Sequence, residues 1–187
     1  FGVGIFVLLE RALEPMGLHH LLYMPIYYDN LVINDGIYAT WSSLLPILSH
    51  STRPLNELAP WAGFTATGWV KLFGLPAIAA AFYSTAKPER RAGLKVILLP
   101  AIVASVVCGV TEPLEFMFTH PGLFLLYAVL SSCLATTMNL FGIVGIFSGG
   151  LIEMAAFNFI PLMRTHAGAY LLALGIGLAF SLIFFVS

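Results

Sequence analysis

Charge is what this sequence has least of. Only 9% of its 187 residues are Asp, Glu, Lys or Arg, against about 25% in a soluble globular domain. With 59% hydrophobic residues and a mean hydropathy of +0.94, the deficit implies that lipid replaces water around most of the chain. A net charge of -1 leaves no concentrated basic surface, which excludes a nucleic-acid partner. Cysteine is nearly absent as well. Cys108 and Cys133 lie in apolar stretches without the close Cys/Cys or Cys/His spacing of a zinc site or redox pair, so they read as buried, inert thiols, with no metal and no cofactor implied. Neither an initiator methionine nor a polar C-terminal tail is present, and both ends read as cut. Residues 1–187 then form one membrane-embedded unit. The sequence shows no convincing self-similarity between its halves, which leaves an internal repeat undecided.

What is present is a series of apolar segments, several of them broken. Residues 17–48 set His19, His20, Asp29, Asn34 and Asp35 among Tyr23, Tyr27, Tyr28, Tyr38 and Trp41. Such a mixture belongs at an interface or along a wet pocket rather than in a simple span. Residues 59–86 are long enough to cross, although Gly63, Gly68, Lys71, Gly74 and Pro76 interrupt them, with Lys71 facing a cavity or snorkelling. Residues 87–95 hold Lys87, Arg90, Arg91 and Lys95, half of the eight basic residues, and read as a cytoplasmic loop. Residues 96–110 fall short of the ~20 needed to span and end on Thr111-Glu112-Pro113, as a half-helix turning back within the membrane would. Residues 116–138 read as a full span that His120-Pro121-Gly122 kinks or opens. A run with Gly142, Gly145, Gly149 and Gly150 is a second region of re-entrant or tightly packed backbone. Residues 153–168 read as surfacing before a last span over 169–185. A pair of short or interrupted segments is the sequence pointer to a transporter's binding site.

Within those breaks stand the residues able to carry chemistry. A carboxylate in an apolar region costs roughly 2.5–3.5 kcal/mol even on lenient insertion scales, so Glu112 and Glu115 need partners. The run reads as a helix start with Glu112 at the cap, Pro113 in the first helical position and Glu115 satisfied by free amides of its own helix. Glu115 is therefore structural, whereas Glu112 is placed to accept hydrogen bonds from two hydroxyls of a sugar. His19-His20 lacks the i, i+4 spacing of a metal pair and suits a polar sugar pocket. Arg11, at the end of an apolar segment beside Glu10, reads on composition as an interface anchor. His50, His120 and His166 read as loop or interface residues, and Trp41, Trp61 and Trp69 as interface anchors or sugar-stacking rings.

At Gly109-Val110-Thr111-Glu112-Pro113-Leu114-Glu115-Phe116 the chain closely resembles the Gly-Ile-Thr-Glu-Pro-Ile-Glu-Phe signature of phosphotransferase-system (PTS) enzyme IIC proteins of the glucose/maltose/N-acetylglucosamine superfamily. Gly17-Leu18-His19-His20, Phe73-Gly74-Leu75-Pro76-Ala77 and Thr85-Ala86-Lys87-Pro88-Glu89-Arg90 agree in order and approximate spacing. The likeness runs from about Arg11 to the end, and Lys71-Leu72-Phe73-Gly74 with Gly150-Leu151-Ile152-Glu153 places it nearest the α-glucoside and maltose branch. The chain departs where the family continues Glu-Phe-Ser-Phe-Leu-Phe-Val-Ala-Pro, because Glu115-Phe116 here runs into Met117-Phe118-Thr119-His120-Pro121.

The resemblance implies an all-α integral membrane fold, a polytopic helical transport domain with re-entrant hairpins in the bacterial cytoplasmic (inner) membrane, forming the C-terminal half of the membrane subunit. It implies a substrate site of Glu112, His19 and Arg11, with His20 and Thr111 as weaker members, and Glu112 or His19 as the group assisting catalysis. The activity it implies is that of the membrane permease in a protein-N(pi)-phosphohistidine-sugar phosphotransferase complex. A phosphorylated IIB partner, supplied by IIA, HPr and enzyme I, phosphorylates the sugar, and no phosphoryl-carrying residue lies in this chain. Dimerisation would run through the absent N-terminal half. The alternatives are an ion-coupled secondary sugar transporter with Glu112 as proton carrier, and a non-transporting membrane module.

Overall fold

In a computed structural model that describes residues 2–118 and 120–187, the chain is helical from end to end, with no strand among the described residues. Helix α1 (Gly2–Leu13) is followed by a 3-10 turn (Glu14–Met16), then α2 (His19–Tyr27), α3 (Gly36–Leu48) and the single turn α4 (Leu55–Leu58). A 3-10 stretch (Pro60–Gly68) leads into α5 (Trp69–Leu72) and α6 (Gly74–Thr85), and α7 (Pro88–Val103) closes with a π turn (Ala104–Cys108). After the short α8 (Glu112–Glu115) come α9 (Pro121–Leu140), α10 (Leu151–Met154), a second π turn (Ala155–Phe159) and α11 (Ile160–Val186).

Four continuous helical stretches are long and apolar enough to cross a membrane: Pro60–Thr85, Pro88–Cys108, Pro121–Leu140 and Leu151–Val186. The first follows the expected interruptions. Gly63 and Gly68 fall in the 3-10 stretch, and the helix breaks again at Phe73, just before Gly74, where the freed Phe73 carbonyl accepts the Ser181 hydroxyl of α11 at 3.1 Å, the kind of repair that makes a broken membrane helix tolerable. α1 lies against α9 through small residues: Ser132 Oγ donates to the Gly4 carbonyl at 2.7 Å. Such packing depends on close backbone approach, because lipid tails offer no hydrophobic drive to bring helices together.

Several sequence expectations are corrected here. The basic residues 87–95 do not form a loop. Pro88 sits in the first turn of α7, where its missing N–H costs nothing, and Arg91 turns back to donate to the Ala86 and Ser84 carbonyls at 3.1 and 2.9 Å, closing the end of α6. With those residues included, α7 and its π turn are a crossing in length rather than a half-helix, and the reversal comes only at Gly109. Residues 153–168 do not surface either. They continue α10 into α11 as one apolar helix with a non-helical residue at His166, which is buried there rather than exposed in a loop. Cys108 and Cys133 are free and exposed: apolar neighbours in a membrane chain mark a face turned to lipid as readily as a core. Trp41 and Trp69 are buried among core residues. Phe1 and Thr119, the latter in the stretch that departs from the family pattern, lie outside the described residues.

Candidate functional site

Two backbone breaks make the site, and they meet. The first is residues 109–111, between the π turn and α8. The second is the buried loop of residues 141–150, between α9 and α10. Gly109 has φ +80°, a conformation that glycine adopts without strain. A side-chain carbon on Gly150 would lie 2.4 Å from the Gly109 nitrogen and 2.5 Å from the Val107 carbonyl oxygen, so only hydrogen fits where the loops abut. The glycine loop is held by Asn158, fully buried in the second π turn. Its Nδ2 donates to the Ile146 carbonyl at 2.5 Å and its Oδ1 accepts the Ile146 N–H at 3.1 Å. The Thr65 hydroxyl donates to the Gly145 carbonyl. Trp41 Nε1 donates at 3.0 Å to the carbonyl of Phe157, within the same π turn. π turns recur at functional sites because they release backbone groups from the helix ladder, and here the first leads directly into a break while the second lies one helical turn beyond the other.

Arg11, at the last turn of α1, is 1% exposed and gathers three carboxylates. Its Nη1 stands 2.6 Å from Glu14 and 2.9 Å from Glu115, and its Nη2 stands 3.4 Å from Glu10. Tyr127 of α9 donates to Glu115 Oε1 at 2.6 Å, and the Thr111 hydroxyl donates to Glu14 Oε1 at 3.2 Å. A buried guanidinium and carboxylates must satisfy one another, since each alone carries a desolvation cost of several kcal/mol. Arg11 thereby ties α1, the first break and α9 together. The same local geometry explains why Arg11 and His19 stand together. α1 ends at Leu13, the 3-10 turn of Glu14–Met16 follows, and Gly17 at φ 68° reverses the chain so that α2 begins with His19.

Above this network lies a cavity of about 260 Å³ lined by Arg11, Glu14, His19, His20, Lys71, Thr111 and Glu112, by Tyr23, Tyr27, Tyr28 and Tyr38, and by Ser148, Gly149 and Glu153. That is close to the ~300–1,000 Å³ of small-molecule sites, which likewise combine aromatic walls with a few polar groups. Glu112 is exposed to the cavity, and its carboxylate has no hydrogen-bond partner among the described residues. His20 Nδ1 lies 2.6 Å from the Tyr23 hydroxyl. His19 lies outside the four long apolar helices. Burial pushes its imidazole below the ordinary value while the nearby Glu14 carboxylate pulls the other way, and a neutral ring offers one donor and one acceptor.

A model of the family described as "Phosphotransferase system, EIIC" matches residues 1–132. The chain belongs to this EIIC family. It is 44% identical over 186 residues to the PTS system maltose-specific EIICB component of Bacillus subtilis (strain 168), covering 98% of this chain and 35% of that protein. It is 41% identical over 188 residues to the PTS system alpha-glucoside-specific EIICB component of Leptotrichia buccalis, covering 100% and 36%. To the phosphotransferase IIC component GlvC of Escherichia coli (strain K12) it is 42% identical over 154 residues, covering 81% and 42%. The EIIC chain thus spans about a third of the length of the first two relatives. Family and fold together make it a multi-pass protein of the bacterial inner membrane.

All five residues singled out from the sequence of this EIIC chain line one cavity, though in unequal roles. Glu112, His19 and His20 face it with polar atoms to spare, Thr111 is buried and committed to Glu14, and Arg11 is committed to carboxylates. Two local readings shift. Thr111 precedes the helix and Glu112 opens it, so the helix starts one position earlier than expected. Glu115 is held through its Oε1 by Arg11 and Tyr127, not by the amides of its own helix. The tryptophans lie away from the cavity, and tyrosines line it instead. The tyrosines of residues 17–48 were expected at an interface or along a pocket and line this one, whereas sequence reasoning missed Glu14, Tyr127, Ser148 and Glu153. Only Glu14, three residues after Arg11, left a local signal.

Proposed function

We propose that this chain is the C-terminal, sugar-holding part of the membrane permease of a phosphoenolpyruvate-dependent PTS, taking an α-glucoside of the maltose type. The observation that carries the reading is the cavity at the meeting of the two breaks, with the unpaired Glu112 carboxylate on its wall. A carboxylate there accepts hydrogen bonds from two sugar hydroxyls, and the low dielectric of the site strengthens them. Arg11 acts through Glu14 and Thr111, holding the first break at the height of the sugar. Glu112 or His19 assists removal of the proton from the hydroxyl that attacks phosphorus, a role that suits a partly buried carboxylate or imidazole near neutral pH.

The phosphoryl group comes from a cysteine of a IIB domain, and the two EIICB relatives support a IIB partner joined to the same chain. Cys108 and Cys133 lie outside the cavity lining, which agrees with a donor supplied from elsewhere. IIA, HPr and enzyme I stand upstream, and dimerisation is assigned to the N-terminal half of the full-length protein.

The test is sugar phosphorylation by membranes carrying the full-length protein, given phosphoenolpyruvate and the soluble PTS components. Wild type is expected to form maltose phosphate, and Glu112→Gln to lose at least ~100-fold in rate, the lower range for losing a positioned acid–base group. Full activity in Glu112→Gln would remove that residue from the site. Uptake that follows a proton gradient and ignores phosphoenolpyruvate would establish the ion-coupled carrier instead.

A further inference from the structure

The cavity has a second polar wall, and its geometry is as deliberate as the first. Glu153, third residue of α10, is half-buried and held at both oxygens. Oε2 accepts the Tyr38 hydroxyl at 2.8 Å, while Oε1 accepts the Gly149 N–H at 2.5 Å and the Ser148 hydroxyl at 3.3 Å. An ionised carboxylate offers about four lone-pair sites. The Gly149 N–H fills one on Oε1 and the Tyr38 hydroxyl one on Oε2, while Ser148 donates its single proton either to Oε1 or to Tyr38, so a site on Oε2 stays free. Tyr38 and Ser148, themselves in hydrogen-bond contact, each keep an acceptor lone pair beside it.

The two carboxylates belong to different elements of the cavity lining: Glu112 opens α8 after the first break, whereas Glu153 is bonded to Tyr38 of α3. Between them runs an unbroken line of rings: His19 to Tyr23 at 5.9 Å, Tyr23 to Tyr27 at 5.1 Å and Tyr27 to Tyr38 at 5.9 Å between centroids. Each step is about the breadth of one pyranose ring. A cavity lined by two separate carboxylate groups of acceptors, with aromatic rings among them, suits a ligand of two linked rings, each carrying outward hydroxyl donors.

We infer that Glu153, with Tyr38 and Ser148, forms a second subsite that holds one unit of an α-linked disaccharide while Glu112, His19 and Thr111 hold the other. The inference rests on the sugar-permease reading above and adds to it which residues recognise the second ring. A contact from the third residue of a helix back to the preceding loop is also a cap. A cap, however, requires neither Tyr38 nor a place on the cavity wall, and its loss would weaken every ligand alike.

The experiment is equilibrium binding of labelled maltose and of labelled methyl α-glucoside, a single ring, to membranes carrying the full-length protein, wild type beside Glu153→Gln, Tyr38→Phe and Ser148→Ala. Tyr38→Phe keeps the ring and its packing, so it stays informative where Glu153→Gln disturbs the loop. In Glu153→Gln and Tyr38→Phe, maltose affinity is expected to fall about tenfold, the worth of one hydrogen bond to a charged group. The single ring should change less than about twofold, within the scatter of a non-contacting substitution. Equal losses for both sugars, or no loss for either, would overturn the second subsite while leaving the permease reading intact. Wild-type protein that binds neither sugar would overturn the permease reading and the subsite with it.

Discussion

One arginine facing three carboxylates makes Arg11 the residue whose loss the protein tolerates least. Arg11→Met keeps most of the volume and leaves Glu10, Glu14 and Glu115 without their counter-charge. Breaking such a buried set costs about 3–5 kcal/mol, read as a lower midpoint of thermal unfolding in detergent. Glu115→Gln should cost less, because its amide oxygen still accepts from Tyr127 and Arg11. Adding Glu115→Gln to Arg11→Met should restore part of the loss, the non-additivity expected of groups in one network. At Asn158 the expected effect is of another kind: Asn158→Leu strands the N–H and C=O of Ile146 in the core, at about 1–3 kcal/mol for each unsatisfied group. The sequence marked Arg11 only through its likeness to a family, since composition alone read it as an anchor. Its partners were hidden because Glu115 and Tyr127 come to it from across the chain, and no spacing rule spans that separation.

Among the elements, the abutting breaks give the sharpest expectation. Gly150→Ala drives a carbon into the Gly109 backbone, which cannot yield as a flexible side chain would. It should abolish sugar binding and lower the unfolding midpoint, whereas Gly93→Ala on α7, where the added carbon meets nothing within 4 Å, should leave binding unchanged and slightly favour the helix. Both breaks were legible in the sequence, because Thr111-Glu112-Pro113 and the glycine run interrupt apolar segments in ways that few other structures require. Their contact was not legible, nor was the continuity of α10 with α11. Glu153, Asn158 and His166 give that region a polar look, yet each is turned inward to a specific partner or buried surface, and hydropathy along a chain cannot distinguish inward from outward. The aromatic reading held for the tyrosines of residues 17–48 and failed for the tryptophans. Tryptophans and tyrosines share a composition signal, and only packing sorts the former into the core and the latter onto the cavity.

At the scale of the whole molecule, the outward faces of α7 and α11 carry Val96, Ile97, Leu99, Leu171, Leu178 and Leu182, all exposed. On a protein in water so much contiguous apolar surface would bring aggregation, and in a bilayer it is the face that lipid wets. Orientation follows from the start of α7, where Lys87, Arg90, Arg91 and Lys95 gather, and the bias of basic residues places that end in the cytoplasm. A single cysteine at Glu89, in a background with Cys108 and Cys133 replaced by serine, should react with a membrane-impermeant thiol reagent in inside-out vesicles and resist it in right-side-out vesicles. The reverse pattern would invert the topology.

The network around Arg11 also sets an order of events during synthesis. Of the carboxylates that meet Arg11, Glu10 and Glu14 are made together with α1, while Glu115 and its partner Tyr127 are still untranslated. Until α9 has been made, Arg11 must wait at the membrane surface, solvated by water and headgroups, and α1 cannot sink to its final depth. Completion of α9 is therefore the step that draws α1 home, and a chain halted before Tyr127 should leave α1 open to proteases that the finished protein excludes.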